Sequence, residues 1–319
     1  MSKYAFGVDI GGTTVKIGLF DMEGNVQDKW EIPTVKDNAG DSILPDIARS
    51  LLDKMKEKGI GKEDLAGIGV GAPGAVDREG NLVGGAVNLG WKPFNIPKAL
   101  NAYIDVPVKA ANDANAAAFG EMWQGGGKGC SNMVAVTLGT GVGGGIIIDG
   151  NILTGAYGGG GEIGHIHIND EETETCGCKN KGCLEQYASA TGIVRLAKRR
   201  LKRDDAPSVL RERELSAKAV FDAVKDGDPV ADEIVRQFGA YLGKGLANVA
   251  CVVNPELFVI GGGVSKAGEI LISLVEPEFQ KYVFPACRNV KFVLAKLGND
   301  AGIYGAAGLI LNKPLQNGD

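Results

Sequence analysis

The sequence predicts an α/β protein built as two related lobes with mixed sheets and a cleft between them. One pattern occurs twice: DIGGTTVKIGLFDMEGN at 9–25 and TLGTGVGGGIIIDGN at 137–151. Each copy has an apolar stretch (YAFGV, then NMVAV), a glycine loop, a second apolar stretch, an Asp and a Gly-Asn turn. The Asp follows the first glycine at the same offset, Gly11 to Asp21 and Gly139 to Asp149. Strands also alternate with helices after each copy, as in α/β folds. Finally, 319 residues suffice for two lobes with separate cores.

In chain order, Tyr4–Val8, Val15–Phe20 and Val26–Thr34 read as a three-stranded meander. Ile43, Ile47, Leu51, Leu52 and Met55 recur at helical spacing within 41–58, and Gly59 stops that helix. Residues 66–70 and 106–111 read as strands and 114–123 as an Ala-rich helix. The second copy restarts with a 133–138 strand and its hairpin. Residues 185–203, 216–226 and 229–253 read as helices and 257–260 as a strand. A GGG loop, a mostly helical 265–282, a 290–295 strand and a 300–311 helix close the chain. That last helix carries small residues on one face, Ala301, Gly305 and Gly308. The polar 204–214 stretch reads as a surface loop or helix tip.

Composition narrows the function classes. Glycine is in excess, 49 residues, about twice the usual share. Glycine loops let backbone N–H groups approach an anion, because no Cβ blocks them. A net charge of −5 argues against a broad nucleic-acid surface. The N-terminus lacks a signal-peptide layout, and no apolar run reaches the length of a membrane span. The expectation is a cytoplasmic protein without nucleic-acid or membrane partners. GTGVGG and GVGAPG both satisfy G-x-G-x-x-G, but a dinucleotide fold needs a helix directly after the loop. Here a short β-branched run and a turn-rich segment follow instead. No Walker-type loop occurs.

Four groups could carry chemistry. Asn112-Asp113 stands where a strand ends and a helix begins. There Asp113 either caps the helix or serves as a base for an attacking hydroxyl. Cys176, Cys178 and Cys183 crowd into CGCKNKGC, a density that points to metal rather than disulfides. With one imidazole, from His165 or His167, they would fill a closed tetrahedral zinc shell and orient Glu162 and Glu185. Asp9, just before the first glycine loop, is a candidate Mg²⁺ ligand. VIGGGVS, 259–265, is a strand–loop unit able to pass close to a nucleotide. Cys130, Cys251 and Cys287 stand singly and are expected to be buried, inert thiols.

At these residues the sequence resembles the ROK family of sugar kinases and regulators, over nearly the whole chain. DIGGTTVK is similar to the family's first phosphate motif, LGTGVGGG to its second, and NDANAAAFGE to the segment with the catalytic base. GGEIGH with CGCKNKGCLEQYAS resembles its zinc and sugar motif, and VIGGGVS and DAGIYGAA its nucleotide-side and C-terminal motifs. Lys179 departs from the pattern, which usually has Gly there. The resemblance implies an actin-like ATPase fold with two ribonuclease-H-like lobes. These would be 1–112 with 302–319, and 113–301. It implies transfer of the γ-phosphoryl of Mg-ATP to the 6-hydroxyl of glucose, the first step of glucose use. Asp113 would be the base, and Asn88, Asn112, Glu162, His165 and Glu185 would bind sugar hydroxyls. His165, Cys176, Cys178 and Cys183 would hold structural zinc. The phosphate motifs place Gly11, Gly12, Thr13, Thr14, Lys16, Gly139, Thr140, Gly141, Gly262 and Gly263 on the nucleotide. A homodimer or higher homo-oligomer is implied as well. Other members phosphorylate N-acetylmannosamine, fructose or allose, and some are DNA-binding regulators. A regulator would need a DNA-binding domain ahead of Asp9.

Overall fold

The computed structural model describes residues 2–311. Twelve strands are β1 (Tyr4–Ile10), β2 (Thr14–Asp21), β3 (Val26–Pro33), β4 (Leu65–Ala72), β5 (Asn81–Leu82), β6 (Phe94–Asn95), β7 (Val108–Asn112), β8 (Met133–Leu138), β9 (Val142–Ile148), β10 (Asn151–Ile152), β11 (Leu257–Gly261) and β12 (Lys291–Leu294). They form five-stranded sheets of order β3-β2-β1-β4-β7 and β10-β9-β8-β11-β12, plus the small β5-β6 pair. Both large sheets follow one plan, a hairpin meander extended by two strands from later in the chain. In the first, β1–β2 and β2–β3 are antiparallel while β1–β4 and β4–β7 are parallel. In the second, β9–β10 is antiparallel and β8–β11 and β11–β12 are parallel. The repeated glycine-loop pattern therefore marks a repeated topology.

The chain divides into two compact units, Met1–Ser131 with Gly145–Gly161 and Lys296–Asp319, and Asn132–Gly144 with Glu162–Ala295. These bounds differ from the lobes expected from the sequence, of which 312–319 lies outside the described residues. The helix Asp113–Gln124 falls in the first unit because it packs backbone to backbone on Ala301–Leu311. A Cβ on Gly305 would stand 1.6 Å from the Ala116 carbonyl oxygen, so only glycine permits this approach. The other side of Ala301–Leu311 meets the sheet just as closely. A Cβ on Gly69 would stand 1.7 Å from Ala306 O. Part of the glycine excess thus serves close helix packing as well as loops.

The core of the first unit combines Phe6, Val8, Ile17, Ile68 and Val70 with Ile47 and Leu51 of the helix Ile43–Lys58. That helix ends at Gly59 with φ 65°, the left-handed C-terminal stop its sequence announces. In the second unit Phe258 packs between Phe279 and Phe292, with ring centroids at 5.9 and 5.2 Å. The long apolar helix Pro229–Val253 packs on Glu269–Tyr282. The expected single helix over 185–203 is two pieces, Glu185–Ala188 and Ala190–Arg203. Ser189 between them is extended, and its Oγ accepts the Gly192 N–H at 2.9 Å. Serine favours this capping geometry over continuing a helix. Cys251 is exposed, contrary to expectation, because it lies on the solvent side of the last turn of Pro229–Val253 beside Val252. Among the described residues, no helix is long and apolar enough to cross a membrane.

Candidate functional site

The first unit gathers the Asp9 and Asp113 segments at the C-terminal ends of parallel strands β1 and β7, which flank β4. Asp9 of β1 stands opposite Gly71 of β4, and Ala72 of β4 opposite Asn112 of β7. A Cβ on Gly71 would lie 3.7 Å from both Asp9 Oδ1 and Asp113 Cα. Burial, and then the charge of Asp113, push the Asp9 carboxyl up to about 6, against the pull of Lys16. Lys16 faces Asp9 across the β1–β2 ladder and donates from Nζ to Asn299 O at 3.1 Å.

Asp113 is not the helix cap. Asn112 holds that position, its Oδ1 accepting the Asn115 N–H at 3.1 Å. Asp113 is the first helical residue, and its Oδ1 accepts from Ala114 N at 2.8 Å and Asn112 Nδ2 at 3.0 Å. Partial positive charge at a helix start favours an anion there.

The first glycine loop is pinned from behind. Gly11 N donates to Thr14 O at 3.0 Å, Thr34 N to Thr13 O at 2.9 Å and Thr34 Oγ1 to Gly11 O at 2.8 Å. Its front is open: a Cβ on Gly12 would meet only Asn88 Nδ2, at 3.8 Å. Asn88 reaches the loop from a tight turn anchored by buried Leu89 and by Trp91, whose indole N–H donates to Gly40 O at 3.1 Å.

The second unit gathers the glycine loops, the cysteines and the remaining acidic candidates. Gly139 N donates to Gly141 O at 3.0 Å, Ala190 N to Gly139 O at 2.8 Å and Thr191 Oγ1 to Thr140 O at 2.7 Å. Nothing would oppose a Cβ on Gly139 or Gly263 within 4 Å, whereas Gly262, at φ 86°, is pressed against Leu138. These loops leave the C-terminal ends of adjacent strands β8 and β11, where ligands of open α/β sheets bind. Glu162 precedes the short turn Ile163–His165.

His165, Cys176, Cys178 and Cys183 offer ligand atoms all within 4.8 Å of one another. Cys176 Sγ lies 3.8 Å from His165 Nδ1, and Cys178 Sγ 3.5 Å from Cys183 Sγ. Three sulfurs and one imidazole nitrogen match the donor set and number of a tetrahedral zinc site. His167 turns elsewhere, to Lys181 O at 2.9 Å and Asp170 at 2.8 Å. Glu185 adjoins the cluster: Cys176 Sγ donates to its Oε1 at 2.9 Å, and His165 Nδ1 lies 3.7 Å away. Burial, and then this bond, push the Cys176 thiol up to about 12. The cysteine loop is braced by buried Glu172, which binds Arg195 at 2.7 Å and Arg199 at 2.9 Å.

Sequence reasoning missed the basic face of Ala190–Arg203. A cavity of about 600 Å³ runs from Thr140 and Thr191 past Arg195, Lys198 and Lys202 to Ser216. Its signal was present as cations at 195, 198 and 202, spaced to share one helix face.

A model of the ROK family matches residues 5–313. A glucokinase of Halalkalibacterium halodurans is 43% identical, covering 97% of this chain and 95% of the relative. The crystal structure of a ROK family glucokinase from Streptomyces griseus, in complex with glucose and AMPPNP, aligns with TM-score 0.73 and 33% identity. It covers 96% of this chain and 98% of that one. A ROK hexokinase from Thermus thermophilus aligns with TM-score 0.80 and 31% identity, over 95% and 96% of the two chains.

Proposed function

Since the chain belongs to the ROK family, as the match over residues 5–313 establishes, we propose that it is an ATP-dependent glucokinase that phosphorylates the 6-hydroxyl of glucose. The observation that carries the mechanism is Asp113: a carboxylate at a strand end, oriented by two N–H donors and relieved of the capping role. It accepts the proton of the attacking hydroxyl, which then displaces ADP from the γ-phosphoryl group. Asn88, Glu162, His165 and Glu185 hold the other hydroxyls. Asn112 has both amide hydrogens committed, to Gly74 O and Asp113 Oδ1, so it can offer sugar only the remaining lone pair of its oxygen.

The phosphates are assigned to the glycine loops Gly11–Thr14, Gly139–Gly141 and Gly262–Gly263, whose unobstructed positions are Gly12, Gly139 and Gly263, with Lys16 as a point charge. Asp9 would hold Mg²⁺, which neutralises phosphate charge when bound. The closed His165–Cys176–Cys178–Cys183 set suits structural zinc, whose place is to fix the loop leading to Glu185. The cavity along Arg195, Lys198 and Lys202 offers room and charge for the nucleotide.

A coupled ADP-release assay with ATP across glucose, mannose, fructose, allose and N-acetylmannosamine tests this reading. Glucose is expected to give the highest kcat/KM. A higher value for another sugar overturns the sugar assignment, and no turnover with any sugar overturns the kinase reading.

A further inference from the structure

The first unit holds a cavity of about 570 Å³ beside β7, lined by none of the site residues described above. Every residue of its wall belongs to that unit, and its volume lies in the range of small-molecule sites. One wall is an open sheet edge, because β7 is the outer strand of its sheet. Ile68 stands opposite Val108, and its N–H donates to Pro107 O at 2.8 Å. Parallel pairing alternates from there along the strand. It turns Lys109 and Ala111 toward β4, and the N–H and C=O of Ala110 outward. Among the described residues neither outward group has a hydrogen-bond partner.

Thr154 forms part of the same wall. It is buried, 7% exposed, and among the described residues its Oγ1 has no hydrogen-bond partner. Its backbone is fully used: Thr154 N donates to Ile152 O at 3.1 Å, and Thr154 O accepts from Gly160 N at 2.9 Å. The charged side chains of the wall cancel, Arg78 and Lys109 against Asp77 and Glu79.

We propose that this cavity is a second sugar site, taking a neutral hexose such as glucose. The unmet groups are one N–H donor, one carbonyl acceptor and one hydroxyl that can do both. A hydroxyl-rich ring offers donors and acceptors to all three. An ion gains little where the charges balance. An apolar ligand would leave the three groups unpaired, which is costly once water is excluded. Thr154 can redirect its hydroxyl by one staggered χ1 step. The outward groups of Ala110 bind as sheet edges bind, through main-chain hydrogen bonds.

Two variants outside the candidate site test the cavity. Thr154→Val keeps the β-branched shape and removes the hydroxyl. It is expected to melt no lower than the parent, because a buried hydroxyl without a partner is lost. Ile152→Trp, from β10 in the same wall, fills the space. Equilibrium dialysis with radiolabelled glucose is expected to give one glucose more per chain in the wild type than in Ile152→Trp. Thr154→Val is expected to bind that extra glucose at least about tenfold more weakly, and carries the comparison if Ile152→Trp does not fold. The difference is independent of the catalytic site, which is the same in all three proteins. Hydrogen exchange locates the extra sugar: glucose is expected to slow the Ala110 amide about fivefold or more in the wild type and not in the filled variant.

Equal glucose totals in all three proteins overturn the proposal and leave the cavity to solvent. A second glucose that survives Ile152→Trp overturns it as well, as does one that leaves exchange at Ala110 unchanged.

Discussion

The Glu185 carboxylate occupies the side of Gly141 on which a side chain would grow. A Cβ built there would stand 2.5 Å from Glu185 Oε2. The last glycine of the G-T-G loop is therefore bare on account of a carboxylate from the same unit, while Gly139 meets nothing within 4 Å. The G-T-G loop and the acidic residue beside the cysteine cluster interlock at this point.

Gly141→Ala is expected to displace Glu185 and raise KM for glucose about tenfold or more, a loss near 1.4 kcal/mol. Gly139→Ala is expected to leave the fold and KM for glucose unchanged and to raise KM for ATP. Steady-state kinetics with each substrate varied in turn checks both. Identical profiles for the two variants would show that the glycines share one role.

Lys179 holds φ 73° in the cysteine loop, a left-handed conformation that favours glycine. Side chains in this region cost roughly 1–2 kcal/mol, part of which a glycine would return as entropy in the unfolded chain. Lys179→Gly is expected to stabilise the protein by up to about 1 kcal/mol, read from urea unfolding. A lower midpoint would mean that the lysine side chain contributes more than the strain it imposes.

One zinc per chain is expected by elemental analysis of protein purified without chelator. Cys176→Ser is expected to lose most of that metal, lower the melting temperature and weaken glucose binding through Glu185. His167→Ala is expected to retain the metal, since His167 faces Asp170 and Lys181 O instead. Full metal content in Cys176→Ser, or loss in His167→Ala, would reassign the ligands.

The raised Asp9 pKa carries a stability signature. Between pH 4 and 6 the folded chain keeps a proton on Asp9 that the unfolded chain releases, so folding weakens as pH rises through that window. Above it the cost is complete, at most about 3 kcal/mol for a rise from 3.8 to about 6. Asp9→Asn escapes this cost. It is expected to melt higher than the parent above pH 6 and with it near pH 4, in buffer without added Mg²⁺. A constant difference between the two across pH 4–7 would exclude Asp9 as the titrating group.

Some of this was legible along the chain because its cause is local. The glycine loops, the Gly59 stop, the strand alternation and the crowding of three cysteines depend on neighbours a few residues apart. The two related lobes with mixed sheets followed from such signals, while the strand order of each sheet did not. Other features depend on residues far apart in sequence. Asn112, which caps the helix instead of Asp113, is also tied to the Gly74 carbonyl 38 residues away. Which histidine joins the cysteines turned on how the 165–185 loop closes. Glu121 reads as an ordinary helix residue. Folded, it is buried and accepts N–H bonds from Gly126, Lys296 and Leu297, the last two from 175 and 176 residues away. Sequence patterns encode backbone conformation, which is short-ranged. A buried polar group must find its partner wherever the closed chain supplies one, and that pairing exists only in the tertiary structure.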